Sequence, residues 1–324
     1  MTHPNTEEVF VEAPARLHFG VLDLLGARGR WFGGIGAAAP GPTLLVSAVA
    51  AETLEVEGED ATRAGEYAQR FMRYHGLRRG ARVRVHRSLP QHSGLGSGTQ
   101  LALAVARAIA ALRDVSADVS DLARAVGRAR RSAVGTWAFA GGGLVVEGGR
   151  RQDHDSCGPL LARIPFPASW RCVVAVPEAA AGVSGGDEEA AFDTLPTPSE
   201  TDVERVAHLV LMVLMPAVVE ADIHAFGSAL TQIQEVTGRW FASVQGGTFA
   251  PGASAALVGR MRESGALGVG QSSWGPAVYG VVDGAAAGAR LVECLRGTSD
   301  HPCALFEGAF PGHGARVWSA EREQ

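Results

Sequence analysis

An α+β fold in two domains is what the sequence predicts, with residues 1–165 forming the first and 166–324 the second, and three features lead there. Strand-like runs at 9–14, 44–49, 83–86 and 144–147 alternate with helical patterns through the first half. The strand at 83–86 passes through a glycine-rich turn at 89–100 into a run, 101–112, made almost wholly of Ala, Leu, Val and Ile. Pro165 and Pro167 then mark a change in composition, after which a buried strand at 172–177 opens the second half.

Taken in order, residues 1–8 are expected as a loose polar tail. The strand from Val9 continues through 15–24, where Arg16 and His18 alternate with Leu17 and Phe19 and so share one face. Each of the two is open to a structural reading or to ligand contact. Residues 26–32 suggest a hairpin-like turn, and Gly33, Gly34 and Gly36 allow close approach of a strand or a ligand. Pro40 and Pro42 punctuate the chain before strands at 44–49 and 53–56. Over 61–74, Tyr67, Phe71 and Tyr74 fall at helical spacing and read as a core stripe. In the turn that follows the next strand, Gly94, Gly96 and Gly98 leave backbone N–H groups bare ahead of a helix N-terminus, where the dipole favours an anion. A plain chain reversal is the alternative, and the flanking strand and buried helix favour a phosphate cradle.

A helix is expected over 119–131, with Arg128, Arg130 and Arg131 complementing its C-terminal dipole, a phosphate site being the alternative for them. Residues 132–143 read as a small, hydroxyl-bearing, glycine-dense loop before the strand at 144–147. Asp153, His154 and Asp155 read as a solvated turn rather than a metal cluster. In the second half, residues 178–187 suggest a mobile surface loop, 188–192 a short helix and 194–199 a Pro-rich linker. Helices at 202–215, 217–237, 253–264 and 285–296, a Gly/Ser turn at 265–276, and strands at 277–282 and within 304–317 complete the chain.

Composition narrows the function. Net charge is −5, so no global basic field argues for nucleic acid. The chain contains no lysine, which excludes a P-loop lysine, a pyridoxal-phosphate Schiff base and a lysine general base; phosphate-binding cations must be arginines. Cys157, Cys172, Cys294 and Cys303 show no metal-ligand spacing. The start is polar and acidic, unlike a signal peptide, and the most apolar run, 209–215, is too short to span a bilayer. A cytoplasmic protein with reduced thiols, away from membranes, is expected.

These segments together resemble the GHMP superfamily of galactokinase, homoserine kinase, mevalonate kinase and phosphomevalonate kinase. Its phosphate loop is matched by Pro90, Gly94, Leu95, Gly96 and Ser97, with Gly98 in place of a second Ser. Its C-terminal Gly-rich motif is matched by residues 270–276, and residues 219–227 resemble the helix that follows its domain linker. The resemblance implies a ribosomal S5 domain 2-like first domain, a ferredoxin-like second domain and a homodimer. Within the superfamily, the stretches at 16–20, 30–36, 130–136, 182–192 and 271–276 resemble the β-ribofuranosylaminobenzene 5′-phosphate synthase family of the methanopterin pathway. That family condenses 4-aminobenzoate with phosphoribosyl pyrophosphate, releasing pyrophosphate and CO2.

The resemblance implies the following roles. Gly94, Gly96, Ser97, Gly98 and Thr99 cradle the diphosphate, with Mg2+ accompanying it, and no pyridoxal phosphate is required. Arg16 and His18 act beside them, with Ser97, as the catalytic groups, and Gly33 and Gly34 line the same site. Ser132 and Thr136 offer hydroxyls to phosphate or ribose, or alternatively cap their loop. Gln271, Ser272 and Ser273 close the site from the second domain. Arg30 pairs with the acceptor carboxylate or the 5′-phosphate, and 4-hydroxybenzoate stands as an alternative acceptor. An ATP-dependent small-molecule kinase is the competing reading, weakened by Gly98 and by the lack of a carboxylate between 132 and 143. A ligand-binding protein without chemistry is the third.

Overall fold

The computed structural model describes residues 7–152, 157–178, 191–192, 194–297 and 302–321. The Asp153–Asp155 turn and the 178–187 loop beyond Glu178 lie outside them, as do Gly182, Gly185 and Glu188 of the resemblance. Of the expected 188–192 helix only Ala191 and Phe192 are described, and both are helical.

Two long antiparallel strands organise the first sheet: β1 (Glu7–Asp23) and β2 (Arg30–Ala50). They run past the proline punctuation at Pro40 and Pro42, and β1 absorbs Glu7 and Glu8 of the expected tail because these pair with Glu321 and Ala320. The two ends of β2 have different second neighbours. Residues 45–50 pair with β4 (Ala81–Arg87), which carries β3 (Glu55–Gly58) in parallel, whereas 34–37 pair with β5 (Leu144–Glu147). A two-residue β6 (Arg150–Arg151) continues onto Arg30 and Trp31, and β7 (Leu160–Ile164) pairs with β5. Gly36 is required by this pairing, since a Cβ there would stand 2.2 Å from the Leu17 carbonyl oxygen.

Helices α1 (Ala61–Tyr74), α2 (Ser97–Leu112), α3 (Val119–Ala125) and α4 (Val134–Ala140) pack around this sheet. Helix α2 is the centre of the core: Leu101, Leu103, Val105 and Ile109 are almost fully buried, each side chain stabilising by roughly 1.5–3 kcal/mol relative to exposure. Helix α3 stops six residues short of the 131 expected. Val126 caps it and Gly127 turns the chain at φ +71, so Arg128, Arg130 and Arg131 leave the helix altogether. The expected loop at 132–143 instead contains α4.

The second sheet is antiparallel in the order β11 (Cys303–Ala309), β8 (Trp170–Pro177), β10 (Val278–Asp283), β9 (Gly268–Gln271). The last strand, β12 (Arg316–Glu321), returns to pair with β1 in the first sheet. Helix α5 (Glu200–Leu209) runs through a π-helical turn (Val210–Leu214) into α6 (Met215–Glu220), and Pro216 follows directly on that turn, where the irregular ladder accommodates a residue with no N–H to donate. The break expected at Pro216 falls instead at Ala221, at φ +58. Asp222 then caps α7 (Ile223–Gln245) through the N–H groups of His224 and Ala225, so the 219–227 stretch is not one helix. Helices α8 (Ala253–Glu263) and α9 (Ala285–Arg296) cover the second sheet. No helix among the described residues is long and apolar enough to cross a membrane.

Candidate active site

The glycine turn delivers the N-terminus of α2 beneath two guanidinium groups. Gly96 is the N-cap at φ +76, a left-handed conformation that a side chain adopts at a cost. A Cβ at Gly96 would meet Arg16 Cγ at 2.8 Å, and one at Gly98 would meet Arg128 Nη2 at 2.8 Å. Arg16 Nη1 donates to the Gly94 carbonyl, and Arg128 donates to the Tyr67 hydroxyl while lying over its ring at 5.0 Å. Arg16 itself sits between two register breaks in β1, after Pro14 and after His18, and between them Arg16, Leu17 and His18 pair with Ala38, Ala37 and Gly36.

These groups open on a cavity of about 520 Å³. One side carries Arg16, Arg128, Arg130, Arg131 and Arg150, with Thr99 and Ser132 among them. Another is aromatic: Trp31, Phe32, Phe192, Phe241 and Trp274. Phe192 stands edge-on to Phe32, Phe241 and Trp274, with centroids 5.7–5.9 Å apart, and Phe241 meets Trp274 at 4.8 Å. Arg131 lies over Phe192, and Arg150 over both Trp31 and Phe32. No Asp or Glu occurs among the described lining residues.

His18 lines the cavity with its ring Nε2 3.2 Å from Ser132 Oγ. Burial, reinforced by the adjacent Arg16 charge, pushes its pKa down to about 3, so the ring is neutral at physiological pH. Behind Ser132 lies a carboxylate that the sequence does not single out. Glu147 at the end of β5 is fully buried and accepts from Ala133 N at 3.2 Å and Gly149 N at 2.8 Å. Burial pushes it up to about 7, opposed by those two hydrogen bonds.

The second sheet reaches the site through residues 271–274. Ser272 is fully buried, donating to the Gly94 carbonyl at 2.7 Å and accepting from His18 N at 2.9 Å. Gln271 N donates to Gln234 Oε1 at 2.8 Å, and Gln234 Nε2 to the Phe19 carbonyl at 2.6 Å. Gln271 Nε2 further bonds Gln245 Oε1 and the Ser273 carbonyl, which ties α7 to the β9–β10 turn.

Of the residues expected at the site, Arg16, His18, Gly33, Thr99, Ser132, Gln271 and Ser273 line the cavity. Gly94, Gly96, Ser97 and Gly98 stand outside the lining, the glycines lying under Ser272, Arg16 and Arg128. Gly34 faces Val134 and the Glu147 carboxylate instead. Thr136 is buried in α4 and its hydroxyl finds no partner among the described residues. Arg30 is exposed, stands outside the cavity lining and donates to the Gly148 and Gly149 carbonyls. The sequence reading missed Arg150 and the aromatic wall. For Arg128, Arg130 and Arg131 the turn at Gly127 removes the helix-end role and leaves the alternative, a place in the cavity lining. Three arginines within four residues directly after that glycine were the available signal.

The family described as "GHMP kinases N terminal domain" matches residues 62–142. The chain is 36% identical over 298 residues to a β-ribofuranosylphenol 5′-phosphate synthase of Methanothermobacter thermautotrophicus, covering 85% of this chain and 89% of the relative. It is 35% identical to the synthase of that name from Archaeoglobus fulgidus, covering 86% and 89%. Among solved structures, homoserine kinase from Cytophaga hutchinsonii superposes with a TM-score of 0.68 at 16% identity, covering 96% of this chain and 97% of that one.

Proposed function

Since the chain belongs to the β-ribofuranosylphenol 5′-phosphate synthase family and carries the GHMP kinase fold, we propose that it joins a 4-substituted benzoate to phosphoribosyl pyrophosphate, in methanopterin synthesis. The ring carbon that bears the carboxylate attacks C1 of the ribose. The C1–O bond breaks and its electron pair leaves with pyrophosphate. The bond to the carboxylate carbon then breaks, its electrons restore the aromatic ring, and CO2 departs. Starting from the benzoate anion, these steps move no proton to or from the protein.

The observation that carries this reading is the cavity lining: five guanidinium groups and five aromatic rings without a described carboxylate. Arginines and the α2 N-terminus suit a donor with two phosphate-bearing ends, and they stabilise the charge that develops on departing pyrophosphate. Phe32, Phe192, Phe241 and Trp274 suit a flat acceptor held over C1. His18, uncharged, orients by hydrogen bonding rather than by proton transfer. A kinase would be expected to use a carboxylate base for its attacking hydroxyl, and the described lining offers none, while His18, held at about 3, is a weak base.

Mg2+ was expected to accompany the diphosphate. Among the described residues no group of three His, Cys, Asp or Glu side chains converges as a metal site. Mg2+ keeps several waters and needs few protein ligands, so the diphosphate oxygens would supply most of its coordination.

The acceptor expected from the sequence is 4-aminobenzoate, whereas the relatives' name, ending in phenol, points to 4-hydroxybenzoate. The test supplies each, labelled at the carboxyl carbon, with phosphoribosyl pyrophosphate and Mg2+, and counts labelled CO2 and pyrophosphate. Release that requires both substrates is expected, and the better acceptor identifies the product. Two blanks would sink the synthase reading; phosphate transfer from ATP to a small hydroxyl compound would replace it with the kinase.

A further inference from the structure

Glu147 does not line the cavity, yet its two carboxylate oxygens hold the two turns that do. Oε1 accepts from Ala133 N, directly after Arg130, Arg131 and Ser132, and Oε2 accepts from Gly149 N, directly before Arg150. The surroundings leave room for this side chain. A Cβ at Gly34 would stand 2.8 Å from Oε1, and one at Gly158 2.2 Å from Oε2. Ser132, whose Oγ meets His18, closes the space between Glu147 and the cavity.

We propose that Glu147 is a positioning residue that braces the cationic wall, fixing the spacing of the Arg130–Arg131 turn against the Arg150 turn for an anion with separated phosphate groups. Only a carboxylate provides two acceptor oxygens here. A glutamine keeps one and turns an NH2 donor toward the other backbone N–H, and an aspartate is one methylene shorter and does not span both amides. Burial opposes the charged form, as its raised pKa shows. A buried carboxylate with no cationic partner among the described residues is poorly explained as a device for stability alone.

The inference rests on the proposed anion-binding role of this wall, and inorganic pyrophosphate is a probe that needs no turnover. In Glu147→Gln, pyrophosphate affinity measured by calorimetry should fall about tenfold, equivalent to about 1.4 kcal/mol. In steady state the KM for phosphoribosyl pyrophosphate should rise by a similar factor, with the acceptor KM within twofold of the original. Amide exchange should accelerate at Ala133 and Gly149 and not in α2, and the melting temperature should hold or rise. Glu147→Asp is the second variant, and the same loss of pyrophosphate affinity is expected. Unchanged pyrophosphate binding in either folded variant, or donor and acceptor KM rising together, overturns the brace. A wild-type protein that binds pyrophosphate without releasing CO2 would remove the synthase reading and leave the brace standing.

Discussion

The Ser272 hydroxyl donates to the Gly94 carbonyl at 2.7 Å across 178 residues of sequence, and so fastens the glycine turn to the β9–β10 turn of the second sheet. The same oxygen accepts from His18 N, which joins β1 to the contact. A buried hydroxyl that satisfies two backbone groups is worth more than its own area, because its removal strands both. Ser272→Ala should cost about 1–3 kcal/mol of stability, read as a lower urea midpoint. An unchanged midpoint would show that water replaces the contact.

Gly94 and Gly98 lie four residues apart and should respond differently to the same substitution. At Gly94, φ is +79 and a Cβ would stand 2.0 Å from the Ser272 backbone oxygen, so Gly94→Ala should destabilise the fold severely. At Gly98 the obstruction is the tip of Arg128, at 2.8 Å, which is able to swing away. Gly98→Ala should leave the melting temperature nearly unchanged while raising the KM for phosphoribosyl pyrophosphate. A large loss of stability at Gly98 would contradict this reading of the contact.

Arg128 and Arg30 provide a matched pair of charge removals. Arg128 lines the cavity and Arg30 is exposed on the Gly148–Gly149 turn. Losing one charge-assisted hydrogen bond to the donor should cost about 1.5–3 kcal/mol, so Arg128→Met should raise the donor KM by roughly 10- to 100-fold. Arg30→Met should leave it within about twofold. Steady-state kinetics at fixed ionic strength compare them, and equal effects would return Arg30 to the site.

The aromatic wall makes its own forecast. Phe241 packs against both Phe192 and Trp274. Phe241→Leu keeps apolar volume but removes the flat face, so the acceptor KM should rise severalfold while the donor KM holds. Initial rates with each substrate varied in turn separate the two.

His18 and Glu147 pull stability in opposite directions with pH. His18 has its folded pKa depressed to about 3, from 6.5. The unfolded chain therefore binds the extra proton between those values, and the His18 contribution grows as pH rises from 3 to 6.5. Glu147 has its folded pKa raised to about 7, from 4.5, so the folded chain holds the extra proton and its contribution declines as pH rises from 4.5 to 7. Relative to the wild type, Glu147→Gln should gain stability across pH 4.5–7, and His18→Gln should gain toward pH 3. Urea midpoints at a series of pH values give these differences directly, and a flat difference curve for either variant would reject its assigned shift.

Local sequence determined a good deal of this protein. The strand–turn–helix from β4 to α2 was legible because a 2.0-residue period, three glycines and an almost wholly apolar run follow one another. Arg16 and His18 were legible for the same reason: alternation on one strand assigned them to one face, and both line the cavity. The exclusion of lysine chemistry needed no structure at all. Arginine 128, 130 and 131 were misplaced because helical periodicity carries through Gly127 in sequence, while in three dimensions a left-handed glycine ends the helix and turns them inward. Pro216 misled for the opposite reason, since the π-helical turn just before it carries the helix past a proline that would break a regular ladder. Glu147 and the aromatic wall depended wholly on tertiary structure. Phe32, Phe192, Phe241 and Trp274 come from four separate segments, and no periodicity along the chain encodes that they meet. Glu147 closes a short apolar strand as many solvent-facing acids do, and only the pairing of β5 between β2 and β7 buries it against two backbone amides.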